Sequence, residues 1–122
     1  MYKIGVDITE ISRIEKSSKR DSFMKRVFSR EETALFSLKS NPYPSMAGNW
    51  AAKEAFSKAL GTGVRGFGLS EVEILRDELG CPYIRLSGKA LEIAREKNLE
   101  FSVSISHTDD LAEAVVIAYR KD

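Results

Sequence analysis

One cysteine, one histidine and almost no net charge set the first limits on this sequence. Cys81 stands alone, so no intramolecular disulfide can form. Cys81 and His107 do not supply the cluster that a zinc ion needs. A single histidine with no matching serine or cysteine motif also leaves no visible nucleophilic triad. The balance of 19 Lys and Arg against 18 Asp and Glu excludes a general polyanion binder. No apolar run approaches the length that spans a bilayer. The start, Met1-Tyr2-Lys3-Ile4-Gly5-Val6-Asp7, meets an acidic residue too soon for a secretory signal. A cytoplasmic location is therefore the default expectation. Internal repeats and low-complexity segments are also lacking, and 122 residues fit one domain over residues 1–122.

What is there describes an ordinary globular chain, 43% hydrophobic and 30% charged. The near-neutral mean hides a local bias. Arg13, Lys16, Lys19, Arg20, Lys25, Arg26 and Arg30 face only Glu15 and Asp21 in the same stretch, which makes a basic patch.

Lys3 to Ile8 alternates and ends in Ile-Gly-Val-Asp-Ile, which predicts a buried strand with Asp7 near its C-terminal end. A carboxylate there is costly unless it is paired or binds a metal. Equally, Asp7 and Thr9 are both good caps for the helix that follows. That helix spans Glu10 to Lys19, with Ile11 and Ile14 inward and Arg13, Lys16 and Arg20 along one outer line. A short second helix starts at Asp21 or Ser22. Ser29-Arg30-Glu31-Glu32 has capping-box spacing and opens a third, with Ala34, Leu35 and Leu38 inward. Pro42 and Pro44 then break the chain.

The main helix is expected from near Ser45 to Gly61, where glycine suits a left-handed C-terminal cap. Ala52, Ala55, Phe56 and Ala59 form its apolar face. Ala47, Trp50, Ala51, Glu54 and Lys58 form a neighbouring line, small enough at the alanines to let something approach. Glu54 and Lys58 sit one turn apart, as in many surface ion pairs. Residues 61–68 are glycine-rich, fitting either a linker or a backbone loop near phosphates. A loop after a helix meets the negative end of the dipole, so phosphate binding there would need Lys58 and loop amides. A hairpin follows, Val72 to Leu75 and Tyr83 to Leu86, turning at Asp77-Glu78-Leu79-Gly80. Ser87 caps another helix. Phe101 to Ser106 alternates as a half-buried strand, and Ala112 to Tyr119 reads as a near-continuous apolar, central one. The fold class is α+β, with helices packed on a largely antiparallel sheet.

The stretch from Trp50 through Lys58 resembles the signature of the 4'-phosphopantetheinyl transferases: an aromatic, two small residues, Lys-Glu-Ala, then a lysine one turn after the glutamate. Ile4-Gly5-Val6-Asp7-Ile8 followed by Arg13-Ile14, and Ser104-Ile105-Ser106-His107-Thr108, resemble two further motifs of that family. The three motifs stand in the family's order across nearly the whole chain. The length points to the small bacterial class, the holo-acyl-carrier-protein synthases. Trp50 departs from the phenylalanine expected in that class.

The resemblance implies a reaction. Coenzyme A donates its 4'-phosphopantetheine arm to a serine of apo-acyl carrier protein, releasing adenosine 3',5'-bisphosphate, in a step of fatty acid biosynthesis. Asp7 and Glu54 would hold Mg²⁺, and Lys58 would neutralise charge on the phosphoryl oxygens. Lys58, Gly61, Thr62, Gly63 and His107 would lie along coenzyme A. Arg13, Lys16 and Arg20 would dock the acidic carrier protein. The family also implies a homotrimer with each site between two subunits. The apolar strand Ala114 to Tyr119 and the hairpin strand Tyr83 to Leu86 offer surfaces for a neighbour. Neither nucleic acid nor membrane is an expected partner.

The residue types alone leave alternatives open. Two carboxylates suit Mg²⁺, which commonly binds one or two of them plus substrate phosphates. Such a centre with Lys58 would also serve a Mg²⁺-dependent phosphodiesterase or nuclease. The basic helices would serve a non-enzymatic RNA-binding module, although the strands show no interleaved exposed aromatics to stack bases. On pattern alone His107 reads first as a turn residue bonded to backbone. The group that takes the serine proton is not selected by these residues.

Overall fold

The computed structural model describes residues 2–61 and 66–121. Along the chain come β1 (Tyr2–Glu10), α1 (Ile11–Ser17), α2 (Asp21–Val27), α3 (Arg30–Ser37) and α4 (Tyr43–Leu60). A 3₁₀ turn (Leu69–Glu71) leads into the hairpin β2 (Val72–Arg76) and β3 (Pro82–Leu86). The chain closes with α5 (Gly88–Glu96), β4 (Leu99–His107) and β5 (Leu111–Arg120). The sheet has order β1-β5-β4, antiparallel throughout, and β2-β3 forms a separate two-stranded ribbon. This is the expected α+β class, with β5 central. No helix of the described residues is long and apolar enough to cross a membrane.

Helix α4 carries the core. Its N-terminal Pro44 lies in the first turn, where a missing amide proton is harmless. Its end is set by Gly61, whose φ of 88° is the left-handed cap. Ala51, Ala52, Ala55, Phe56 and Ala59 are fully buried against Ala114, Val116 and Ala118 of β5. Burying Phe56 contributes about 1.5–3 kcal/mol, and the alanines let helix and sheet lie close. A second cluster joins Ile11, Ile14, Phe23, Val27, Phe28 and Phe36 beside Ala47 of α4. Ala47 and Ala51 therefore admit the protein's own elements and no ligand.

Closest of all is Gly5. A Cβ built there would collide with the Ala55 carbonyl oxygen and lie 2.8 Å from the Ala59 amide nitrogen. Both are backbone atoms of a buried helix, so only glycine lets β1 sit here.

Several expectations change. β1 is an edge strand, not a buried one: Gly5 and Thr9 face α4, while Ile4 (66%), Val6 (47%) and Ile8 (59%) are exposed on the other side. Alternation over a two-sided apolar strand does not say which face finds a cover. The inward residues of α3 are Glu32 and Phe36; Ala34 is exposed, Leu35 half-buried and Leu38 is 83% exposed. The capping box does form, but Glu32 also turns its carboxylate into the interior, and the helix stops before Leu38. Ser87 stands at the N-cap of α5 without a side-chain bond; the Glu71 carboxylate accepts from the Ala90 amide instead, at 3.1 Å. Tyr2 and Tyr83 are exposed on separate strands, so exposed strand aromatics do occur, while the open Tyr83 side of the hairpin is as expected.

Gly5→Ala should destabilise the fold by about 3 kcal/mol or more, the upper end of overpacking effects. Urea unfolding checks this through a lowered midpoint; an unchanged midpoint would show that β1 can move off α4 freely.

Candidate active site at the strand–helix seam

The pleat that points Gly5 at α4 also points Asp7 there, since side chains alternate along a strand. Asp7 is held from two sides. The Thr9 hydroxyl donates to its Oδ2 at 2.7 Å, and Lys58 Nζ lies 3.5 Å from its Oδ1. Thr9 is itself buried, so this clamp is fixed by the core. The N-cap of α1 is Glu10, with no side-chain cap bond, so the capping alternative for Asp7 does not apply.

Lys58 crosses from α4 to β1, donating to the Val6 carbonyl at 2.8 Å. It does not fold back along the helix onto Glu54. Its side chain is 57% exposed, and the long, partly hydrated contact with Asp7 binds it weakly. The ammonium is thus free to exchange that contact for a more highly charged anion.

Glu54 lies one turn before Lys58 and is half-buried. Burial pushes its carboxyl above the usual glutamate range, and the negative charge of Asp7 pushes it further. Lys58 and Arg13 oppose the shift. Asp7 on β1 and Glu54 on α4 thus lie near enough for the charge of one to act on the other. Their oxygen-only donor set suits a hard divalent cation completed by substrate phosphates. Among the described residues no cage of three or more His, Cys, Asp or Glu side chains exists.

Arg13 stands beside this seam on α1, its guanidinium 6.0 Å from the centre of the Trp50 ring. Lys16 is exposed in the last turn of α1, and exposed Arg20 lies 6.0 Å over the Phe23 ring. Of the three, Arg13 is the one whose charge reaches Glu54. Lys19 is drawn aside, donating to the Tyr43 hydroxyl at 3.0 Å.

His107 is not part of this cluster. It ends β4, in register with Ala112, which in turn pairs Thr9. It shares the helix-facing side of the sheet but sits two strands over, roughly 10 Å across. It is exposed, with Nδ1 3.0 Å from the Thr108 carbonyl oxygen, as a turn residue would be. Gly61 caps α4 about one turn past Lys58. Thr62 and Gly63 lie outside the described residues.

Three contributors escape a reading of the sequence. Thr9 follows Asp7 by one strand period, a signal that alternation could have offered. Lys53 and Glu32 are wholly buried and joined at 2.7 Å, and nothing in their local sequence separates them from solvated charges.

With this geometry in view, the chain can be set beside known proteins. Residues 3–118 match the 4'-phosphopantetheinyl transferase superfamily. The holo-[acyl-carrier-protein] synthase of Caldanaerobacter subterraneus is 47% identical over 117 residues, covering 94% of this chain and 92% of its own. The crystal structure of the Neisseria meningitidis synthase superposes with a TM-score of 0.89 at 33% identity, covering 97% and 98% of the two chains. The CoA complex of the Chronobacterium ammoniagenes protein superposes with a TM-score of 0.86 at 30% identity, covering 100% and 99%.

The raised pKa of Glu54 has a sign that can be tested. A carboxylate shifted upward by folding costs stability when ionised, fully so above its folded value and not at all once protonated. Glu54→Gln should therefore raise the melting temperature near neutral pH, and the gain should shrink as the pH falls toward about 4, the ordinary glutamate value. A lowered melting temperature at neutral pH would show that Glu54 is not strained by its surroundings.

Proposed function

The chain belongs to the 4'-phosphopantetheinyl transferase superfamily, among the holo-[acyl-carrier-protein] synthases; from that premise we propose that Asp7, Glu54 and Lys58 form the centre where coenzyme A passes its arm to a carrier-protein serine. The serine oxygen forms a bond to the phosphorus that bears the pantetheine, and the pyrophosphate bond breaks. Adenosine 3',5'-bisphosphate leaves. The family assignment favours this over nuclease or RNA-binding readings. The unit that acts is the single domain over residues 1–122, in the cytoplasm.

One observation carries the proposal: Asp7 and Glu54 meet from separate elements with Lys58 bridging the seam. Such an array does its work by positioning and charge neutralisation. Mg²⁺ bound at Asp7 and Glu54 would stabilise the negative charge that builds on the pyrophosphate as its bond breaks. Lys58 would release Asp7 and swing its exposed ammonium onto the transferred phosphoryl group. Thr9 would hold Asp7 in one rotamer throughout. Gly61, Thr62 and Gly63 would line coenzyme A beyond Lys58. Arg13, Lys16 and Arg20 would draw in the acidic carrier protein beside the same centre.

Asp7 is on one edge strand and His107 on the other, about 10 Å apart across the same face. The family resemblance implies a trimer with each site shared between two subunits, and there His107 would meet a coenzyme A phosphate. The outer sheet face supports assembly too: Tyr2, Ile4 and Val6 lie in register with Tyr119, Ile117 and Val115, and the β1 members are exposed. That patch is apolar and unpartnered in one copy.

Incubated with coenzyme A, Mg²⁺ and apo-carrier protein, the wild type should add the mass of the arm to the carrier. Asp7→Ala or Glu54→Ala should lower turnover at least about 100-fold with the fold intact. Arg13→Glu with Arg20→Glu should raise KM for the carrier far more than for coenzyme A. Full activity in excess EDTA would remove the metal from this account. Light scattering should give a mass near three times the 13.6 kDa chain. A monodisperse monomer with full specific activity would contradict the shared site.

A further inference from the structure

We propose that Lys53 is a positioning residue for the transfer reaction: its buried ammonium sets the rotation of α4 about its own axis, and thereby the aim of Glu54 and Lys58 at Asp7. This rests on the assignment of those three residues to the reacting centre.

Lys53 is wholly buried, and all three of its protons have fixed acceptors. They are Glu32 Oε1 at 2.7 Å, the Val72 carbonyl at 2.6 Å and the Leu69 carbonyl at 2.9 Å. Glu32 is equally saturated. Its Oε1 also accepts from the Ser29 amide at 3.1 Å, while Oε2 accepts from Asn49 Nδ2 at 3.0 Å and the Ile74 amide at 3.3 Å. Burial pushes Lys53 down and Glu32 up, each opposed by the charge of the other. In the ionised form the pair is fully matched, Lys53 donating to three acceptors and Glu32 accepting from four donors.

Glu54 follows Lys53 by one residue, about 100° around the helix. The two side chains thus leave the same turn toward different neighbours, one into the interior and one into the seam. The alanines of α4 set its distance from the sheet better than its angle, because methyl groups form a shallow ridge; Phe56 and Leu60 resist rotation by packing, and Lys53 adds the directional anchor. A side-chain tip about 5 Å from the axis moves by roughly 2 Å when the helix turns by about 20°. That exceeds the span over which a hydrogen bond holds. The same turn would shift the Glu54 carboxylate by a similar amount against Asp7, and a misplacement of about 1 Å can cost about 100-fold in rate. The Leu69 and Val72 carbonyls belong to the segment that returns from the glycine-rich stretch. Lys53 therefore also ties the far end of that stretch to the helix that carries the centre.

Replacing both members of a buried ion pair by uncharged residues is often neutral for stability. That separates positioning from support. Two variants decide it, assayed well below their melting temperatures. Lys53→Met with Glu32→Gln removes both charges. Lys53→Arg keeps the charge but cannot point three protons at the three acceptors in the same space. A folded variant of either kind should lose at least about tenfold in kcat while KM for the carrier protein stays within about twofold, because docking uses α1. Wild-type kcat in either folded variant would overturn the proposal. If neither variant folds, Lys53 acts on stability alone and the proposal also fails. Glu54→Ala is the control for the underlying reading: wild-type turnover in that variant would refute the centre itself, whatever Lys53 does.

Discussion

The contact of Gly5 with the backbone of α4 at Ala55 is the constraint on which the rest depends. It brings an edge strand onto a helix with no side chain between them. One pleat further along β1, Asp7 then arrives beside Glu54 and Lys58, although Asp7 and Lys58 are 51 positions apart in sequence. The small residues of β5, Ala112, Ala114 and Ala118, keep the helix equally close to the sheet centre. Each alanine buries little area, so proximity here serves placement more than stability.

The two sides of α4 treat charge in opposite ways. On the inner side Lys53 and Glu32 satisfy one another and every polar neighbour; among the described residues no buried side-chain polar atom lacks a partner. Removing one member of such a pair typically costs about 3–5 kcal/mol, because the other charge is left in the interior. On the seam side, Asp7 and Glu54 repel, and the nearest cations are exposed and loosely held. Under the proposed function, the unfavourable arrangement is the one that an anionic substrate and a cation would relieve. The favourable one sits where rigidity is needed. A half-buried carboxylate held above its usual range by burial and a neighbouring charge is a common mark of a functional site.

Much of the secondary structure was legible because local physics decided it. Gly61 stops α4, Ser29 and Glu32 start α3, and Asp77 to Gly80 turn the hairpin, each through contacts within a few residues. The start of α4 at Tyr43 came two residues before the expected Ser45, since proline is tolerated in a first helical turn. The site was legible only through resemblance. Periodicity puts Glu54 and Lys58 on one helical line, but nothing local says that Asp7 faces them. Exposure was the least legible property. Ile4, Val6 and Ile8 look like core residues, and Lys53 and Glu32 look like surface ones, yet the reverse holds. In both cases the outcome depends on what another element covers, which no window of sequence contains.

The central claim is that Asp7 and Glu54 jointly form one cation-binding centre against the pyrophosphate of coenzyme A. Crystals grown with coenzyme A and Mn²⁺ in place of Mg²⁺ test it directly, through the anomalous signal of the metal. The account predicts a single strong peak within about 2.0–2.3 Å of an oxygen from each of the two carboxylates or of a water that they both hold, and in contact with the pyrophosphate. A peak on the pyrophosphate that neither carboxylate approaches, or a metal held by Glu54 with Asp7 still bound only to Lys58, would contradict it.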